Sequence, residues 1–175
     1  MIRRMLVLPT ILALLATGCS VAPRREVVPM RPTTTEMTVY RSEVVHVSIL
    51  IPPQRTFDFL ADVSNWKTWA PWVRGAKKVS DHDWTVDTDA GTMQLRFVEA
   101  NSLGVLDHTV TLASGVRIYN AMRVSPNSTG SELSMVVLQT PPATSEQFAQ
   151  DVQAVRDDFA RIKKVLESDP GASGR

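Results

Sequence analysis

The chain has 175 residues, of which 43% are hydrophobic and 21% charged, a composition typical of one globular domain with short tails. Lysine and arginine number 19 against 18 aspartates and glutamates, so no strong positive field favours nucleic acid as a partner. The single cysteine excludes an intramolecular disulfide.

The first eighteen residues have the layout of a secretory signal peptide. Arg3 and Arg4 precede an apolar run over residues 5–16, which is too short to span a bilayer as a permanent helix. The stretch LATGC that ends at Cys19 resembles the lipobox of bacterial lipoproteins, with Ala16 where that family usually has leucine. In that family the signal is cleaved before the cysteine, which then carries the lipid. The resemblance implies lipidation at Cys19 and attachment to a membrane through the acyl chains.

The residues after Cys19 predict a location and a tether. By the same resemblance, Ser20 in place of aspartate implies the outer membrane, so we expect a lipid-anchored protein of the bacterial cell envelope that faces the periplasm. Proline, threonine and arginine follow without any period, which predicts an extended tether. The predicted organisation is a signal peptide (1–18), a lipidated cysteine with its tether (19–36), a folded domain (37–167) and a disordered tail (168–175).

Strand-like and helix-like patterns alternate through the predicted domain. Residues 37–51 are rich in valine and isoleucine and end at two prolines, which predicts a strand. PQRTFDFLADV, residues 53–63, predicts a helix, and WKTWAPW, residues 66–72, a second short helical turn broken by Pro71. Short connections then predict an antiparallel meander of six strands. These runs cover residues 76–80, 84–88, 92–100, 105–112, 116–125 and 131–140.

A long amphipathic helix closes the domain. Its apolar residues recur at steps of four and three, as one stripe on a helix of about six turns. A sheet with a single amphipathic helix must bury that stripe on one of its faces. We therefore predict an α+β fold in which a curved antiparallel sheet of about seven strands wraps around the C-terminal helix, with two short helices after the first strand. The stripe consists of Phe148, Val152, Val155, Phe159, Ile162 and Leu166.

The element order and the run ILIPPQRTFDFLADVSNWKTWAPWV, residues 49–73, resemble the START-related, or SRPBCC, superfamily. GVLDHTVTL and MRVSPNSTGSELSMVV are similar to small bacterial polyketide-cyclase-like members. The superfamily uses a helix-grip fold and includes polyketide cyclases, plant pathogenesis-related allergens and lipid-transfer domains. The resemblance covers about residues 37–167 and implies the helix-grip fold, whereas one fold hosts many activities.

Catalytic and metal-binding motifs are absent from the sequence. There is no P-loop, no dinucleotide fingerprint, no nucleophile elbow, no cysteine pair and no H-x-x-x-H spacing, so we predict neither cofactor nor metal. His108 alternates with Leu106 and Val110 and should face the apolar interior. It could act as a general base or orient a ligand. A buried histidine bonded to a backbone carbonyl or water is favoured, because no nucleophile or acid is visibly paired with it.

The same alternation predicts which side chains face the interior of the grip. They form a methionine-rich apolar surface with isolated polar groups such as Asn120 and Glu99, which is typical of a ligand cavity. A filled core in which methionine plugs gaps has the same pattern, so both interpretations stay open. The candidate ligand-binding residues are Trp66, Trp72, Met93, Leu95, Phe97, His108, Ile118, Asn120, Met122, Met135 and Phe159.

Three of the four tryptophans, Trp66, Trp69 and Trp72, lie three residues apart in SNWKTWAPWV, residues 64–73. On one short helix they would share a broad face and serve as core, as the gate of a cavity with indole N–H donors, or as an interfacial membrane anchor. The third role is the weakest, because the lipid would already hold the protein at the membrane. In the superfamily the Trp-x-Pro element lies beside the cavity entrance. That assigns Trp69 mainly to packing, and Trp66 and Trp72 to packing or to the gate.

The predicted function is that of a membrane-anchored envelope lipoprotein whose helix-grip domain binds a small hydrophobic molecule or lipid. A non-enzymatic role is favoured. One alternative is a cyclase or dehydratase-like enzyme with His108 as base and Asn120 or Tyr119 as orienting donor. That alternative requires His108 to share a solvent-reachable pocket with a second polar side chain. Another is an envelope interaction protein with a filled core. The sequence predicts no oligomeric state.

Overall fold

The computed structural model describes residues 37–168. The predicted signal peptide, the lipidation site at Cys19 and the tether lie outside the described residues. The predicted tail also lies outside them, apart from Ser168, which is the last residue of a helix rather than the start of a tail.

The described residues form one seven-stranded sheet, two α-helices and a short 3₁₀ helix. Strands lie in the order β1-β7-β6-β5-β4-β3-β2, and every neighbouring pair is antiparallel. In chain order the elements are β1 (Ser42–Ile49), α1 (Pro53–Ala61), the 3₁₀ helix (Val63–Thr68), β2 (Val73–Lys78), β3 (Asp83–Thr88), β4 (Gly91–Phe97), β5 (His108–Thr111), β6 (Arg117–Asn127), β7 (Gly130–Leu138) and α2 (Ser145–Ser168).

This architecture confirms the predicted α+β helix-grip fold. Strands β2 to β7 form the meander that the turn signals indicated, and the two short helices follow β1. The first strand joins the far edge of the sheet beside the last, with Ser42 opposite Leu138 and Ile49 opposite Ser131. The apolar core therefore includes residues from both ends of the described chain.

The stripe of α2 is buried as predicted, with Phe148, Val152, Phe159, Ile162 and Leu166 in the core and Val155 half-buried. The helix packs on β1 and β7. Polar contacts fix its C-terminal part, since Lys163 Nζ donates to the Ser48 carbonyl at 2.8 Å and the Leu50 N–H donates to Glu167 Oε1 at 2.8 Å.

The tryptophan motif differs from the predicted single helical turn. α1 begins with Pro53, where a helix needs no N–H donor, and ends at Ala61. Asp62 caps the 3₁₀ helix by accepting the Ser64 N–H at 3.0 Å. That helix ends at Thr68, so Trp72 lies in the turn that leads into β2. The three tryptophans therefore do not share one helix face.

Within residues 37–168, no helix combines the length and apolarity that crossing a membrane requires.

Candidate functional site

The chain before β5 lies close against β6. The Leu106 N–H donates to the Met122 carbonyl at 2.9 Å, and the Val124 N–H donates to the Gly104 carbonyl at 2.8 Å. Gly104 has φ +72°, and a Cβ there would lie 1.9 Å from the Val124 oxygen. Only glycine allows the backbone at this position to lie so close to β6. This close approach holds the segment that carries His108 in place.

Just before β5, two side chains take the place of one backbone hydrogen bond to β6. The Met122 N–H donates to Asp107 Oδ1 at 2.9 Å, and the Leu106 carbonyl accepts from His108 Nδ1 at 2.9 Å. In an unbroken antiparallel ladder these two backbone groups would bond each other. Because side chains take both, β5 begins at His108 and not at residue 105, as the sequence had predicted.

His108 is buried with both ring nitrogens bonded. Its side chain faces the core as predicted, and the residue is 5% exposed. A carbonyl can only accept, so the bond to Leu106 places the proton on Nδ1, and Nε2 accepts from Asn120 Nδ2 at 3.1 Å. Burial lowers the pKa of His108, and the bond to the Leu106 carbonyl offsets part of that effect. The ring is therefore neutral at neutral pH.

Aromatic rings surround His108. Its ring centroid lies 5.3 Å from that of Phe97 and 5.9 Å from that of Trp66. Trp66 in turn packs edge-on against Phe97, with ring centroids 6.4 Å apart. It also packs against Trp69 in a tilted arrangement, with ring centroids 5.4 Å apart. We call these four residues, Trp66, Trp69, Phe97 and His108, the aromatic cluster. Sequence alternation identified Phe97 and His108 as interior residues, and the structure brings them together with the tryptophan motif.

Asp107 is a buried residue that sequence reasoning missed. Its carboxylate bonds to groups of β6 rather than to His108, as expected for its place on the other face, yet the residue is only 4% exposed. Its carboxylate accepts from the Tyr119 hydroxyl and pairs with Arg123, whose side chain is 41% exposed. Tyr119 was one of the two proposed orienting donors for His108 and is bonded to Asp107 instead. The sequence did contain a signal for the burial of Asp107, because Asp107 and His108 are adjacent at the start of an otherwise apolar alternation.

Most of the predicted ligand-binding residues are inside the domain. Ile118 is the exception, because it is 44% exposed at the start of β6, and Leu112, which was assigned to the same face as His108, is 38% exposed. Glu99 is also exposed, beyond the end of β4. Buried residues of the predicted set are Trp66, Met93, Leu95, His108, Met122 and Phe159, and half-buried ones are Trp72, Phe97, Asn120 and Met135.

Two depressions of the described surface lie away from the aromatic cluster. One, of about 180 Å³, is lined mainly by polar side chains of β3 to β6, and of the predicted ligand-binding residues only Leu95 borders it. The other, of about 320 Å³, lies along the C-terminal part of α2.

The enzymatic alternative lacks the geometry that it requires. Asn120 supplies the second polar side chain beside His108, but His108 is enclosed and its Nδ1–H is donated to the backbone. Neither surface depression includes His108. A general base needs a free basic nitrogen within reach of a substrate proton. Residues 37–168 also contain no group of three or more histidine, cysteine or acidic side chains placed to hold a metal ion.

The three indole N–H groups of the motif differ in their surroundings. Trp66 Nε1 donates to the Leu60 carbonyl at 3.0 Å, and the Trp72 side chain lies near the carboxyl group of Asp158, whose pKa it lowers. Among residues 37–168, Trp69 Nε1 is the buried side-chain nitrogen that has no acceptor. Leaving such a donor unpaired costs about 1–3 kcal/mol. Of the predicted gate donors, Trp66 is thus bonded within the protein and Trp72 lies near Asp158, whereas Trp69, which was assigned to packing, has the unpaired N–H.

Asp158 and Arg161 join the motif to α2. The two side chains form an ion pair, and Arg161 Nε donates to the Trp69 carbonyl at 2.9 Å. Burial raises the pKa of Asp158, while the contacts with Arg161 and Trp72 act in the opposite direction. The sequence placed no functional residue on this side of α2, because these contacts join positions almost a hundred residues apart.

Residues 37–167 match the family model described as polyketide cyclase / dehydrase and lipid transport. The chain belongs to this family. The match covers the residues on which the resemblance to the SRPBCC superfamily rests, and it suggests the binding of a hydrophobic ligand. No curated protein sequence shows significant similarity to the chain.

Solved structures share the fold at low sequence identity. Protein MLL2253 from Mesorhizobium loti superposes with a TM-score of 0.59 at 19% identity over 73% of this chain and 98% of its own. A START superfamily protein from Mycobacterium smegmatis gives 0.60 at 7% identity over 73% and 97%. The di-domain ARO/CYC protein BexL from the BE-7585A biosynthetic pathway gives 0.60 at 14% identity over 74% of this chain and 48% of its own. These identities support the fold alone.

Proposed function

We propose that the helix-grip domain binds a small hydrophobic molecule or lipid between its sheet and α2, and that a lipid on Cys19 holds it at the outer membrane, facing the periplasm. The observation that carries the first part is the family match over residues 37–167. The second part rests on the lipobox-like residues that end at Cys19.

The interior has the chemistry of such a site. The aromatic cluster and the methionines Met93, Met122 and Met135 offer apolar, adaptable surface, and methionine side chains re-pack at low cost. The polar groups His108 and Asn120 within this interior are bonded to each other. Ligand sites typically combine a mostly apolar lining with a few placed polar groups.

Ligand binding is tested with the full chain carrying Cys19→Ser, which removes the predicted lipid. Fluorescence of a naphthalene-based hydrophobic probe is titrated, and Met122→Lys, which puts a charge into the buried face, is compared with Lys77→Met on the exposed part of β2. We expect the first substitution to abolish probe binding and the second to leave it unchanged. Probe binding that survives Met122→Lys in a folded protein would locate the probe elsewhere and overturn the proposal.

The anchor is tested in cells of a Gram-negative host. The native chain should fractionate with the outer membrane, and Cys19→Ser should move it to the soluble periplasmic fraction or leave it unprocessed. Two or three acyl chains give stable membrane attachment. Unchanged fractionation and unchanged electrophoretic mobility after Cys19→Ser would refute lipidation.

A second candidate is an envelope interaction protein with a filled core. The observation that favours it is that neither of the two surface depressions described above includes the aromatic cluster. Failure of every hydrophobic probe and of a lipid extract to bind the folded chain would favour this candidate.

A further inference from the structure

One donor in the core of this domain has no partner within it. Trp69 is 7% exposed, and its Nε1 atom has no hydrogen-bond acceptor among the described residues. Buried polar groups in folded proteins are nearly always paired, and each exception calls for an explanation, such as a group that the structure does not contain. Three residues earlier, the indole N–H of Trp66 has an acceptor in the Leu60 carbonyl.

Contacts on two sides fix the position of this N–H. The Trp69 ring packs against Trp66 at 5.4 Å, within the aromatic cluster. The Trp69 carbonyl accepts from Arg161 Nε on α2, and Arg161 is itself paired with Asp158. The donor is therefore preorganised, and a partner that brings an acceptor meets no cost of ordering it.

A buried water at this position would need two to four polar partners. The ring that packs against Trp69 is that of Trp66, whose side-chain N–H already donates to the Leu60 carbonyl. A lone donor without an acceptor in the described part of the chain suits one acceptor atom on a molecule that is otherwise apolar.

We propose that Trp69 Nε1 donates a hydrogen bond to an uncharged oxygen acceptor of the ligand, a ketone, ester or ether oxygen. This rests on the proposed function and names the class of ligand. An indole only donates, so the partner must accept. A carboxylate is disfavoured, because the nearby cation, Arg161, is already taken by Asp158 and the Trp69 carbonyl, and burial of an unpaired charge is costly.

The test uses three probes of one shape, acetylnaphthalene, isopropylnaphthalene and naphthoate, with the full chain carrying Cys19→Ser. The four tryptophans give four indole N–H signals in the proton NMR spectrum. We expect acetylnaphthalene to move the Trp69 signal downfield, since a new acceptor deshields the proton, and to leave the Trp66 signal nearly in place. Isopropylnaphthalene should bind without that shift, and naphthoate should bind weakest.

Substitution gives the second measurement. Trp69→Phe keeps an aromatic ring and removes the donor, so we expect the affinity for acetylnaphthalene to fall about 3- to 10-fold. The affinity for isopropylnaphthalene should change less than about twofold by the same reasoning. The control is Trp72→Phe, the same substitution at an indole that lies near Asp158, which should leave the ratio of the two affinities unchanged.

The outcomes separate this inference from the proposed function. Equal losses for both probes in Trp69→Phe, or a Trp69 signal that ignores acetylnaphthalene, would overturn the hydrogen bond while hydrophobic binding stands. Preference for naphthoate would also overturn it. If the chain that carries only Cys19→Ser binds none of the probes, both the proposed function and this inference fail. If Trp69→Phe does not fold, the hydrogen bond is tested by NMR alone, through the shift of the Trp69 indole signal in the chain that retains Trp69.

Discussion

Two polar groups in the core of this domain differ in how they are bonded. His108, on β5, donates through Nδ1 to the backbone and accepts through Nε2 from Asn120. Trp69, after the 3₁₀ helix, is buried just as deeply and has an N–H without an acceptor. A fully bonded buried group holds the fold and gains nothing from a partner, whereas an unpaired one leaves binding energy unused. We therefore infer that the β5 side of the core is structural, because its hydrogen bonds stabilise the fold. On the Trp69 side, we propose that a ligand adds a hydrogen bond.

The largest expected effect concerns Asp107, on the structural side. Asp107→Ala leaves the Met122 N–H and the Tyr119 hydroxyl without their acceptor and frees Arg123, so the free energy of unfolding should fall by about 3 kcal/mol. Urea unfolding measures this. Tyr119→Phe, which removes one of these bonds, should cost about 1 kcal/mol. Loss of less than 1 kcal/mol in Asp107→Ala would mean that the gap in the β5–β6 ladder is not held by this carboxylate.

The comparison is sharpened by the same substitution at two neighbouring indoles. Trp66→Phe removes a donor that is bonded to Leu60 and leaves that carbonyl unpaired, while Trp69→Phe removes a donor that had no partner. Both lose similar ring volume. The free energy of unfolding should therefore fall by about 1–2 kcal/mol more in Trp66→Phe than in Trp69→Phe. Equal losses in urea would contradict an unpaired Trp69 N–H.

The pH dependence of stability should carry the signature of His108. Burial lowers its pKa in the folded chain, so below the usual value near 6.5 the unfolded chain binds the proton first. The free energy of unfolding should then fall as the pH falls from about 6.5 towards the folded-state pKa. His108→Asn keeps an N–H donor near the Leu106 carbonyl and cannot titrate, so it should lose this slope. A slope that persists in His108→Asn would assign it to another group.

The smallest effect is expected at Asp158, on the Trp69 side, and it has the opposite sign. Burial raises the pKa of this carboxyl, so above its usual value near 3.8 the folded chain holds the proton longer than the unfolded one. The contribution of Asp158 to stability therefore decreases as the pH rises through that window. Asp158→Asn, which keeps an acceptor near the Trp72 indole, should remove the decrease in thermal unfolding measured from pH 4 upwards. If the pH profile of thermal unfolding is unchanged in Asp158→Asn, the decrease belongs to a different carboxyl group.

The sequence predicted the fold because its strongest signals are local. The stripe from Phe148 to Leu166 has a helical period, and turn residues separate the strands, so element order and the inward direction of His108 follow without knowledge of tertiary contacts. Alternation also placed Asp107 on the face opposite His108. It could not predict the burial of Asp107, because that depends on Tyr119 and Arg123 from the next strand.

The roles of the tryptophans could not be predicted for a related reason. Spacing by three suggested one helix with a shared face, but Asp62 caps a 3₁₀ helix that ends at Thr68 and leaves Trp72 outside it. Which indole is bonded depends on the position of the Leu60 carbonyl, and the surroundings of Trp72 depend on Asp158 of α2. These are tertiary contacts, and no period in the sequence encodes them.

The place of β1 at the sheet edge has a consequence for how the domain is made. Ser42 to Ile49 pair only with β7, and α2, the last element of the described chain, packs on β1. β1 therefore has no partner strand until β7, the last strand of the described residues, has been synthesised. Such long-range pairing slows folding, and it leaves the edges of β1 unpaired in the meantime.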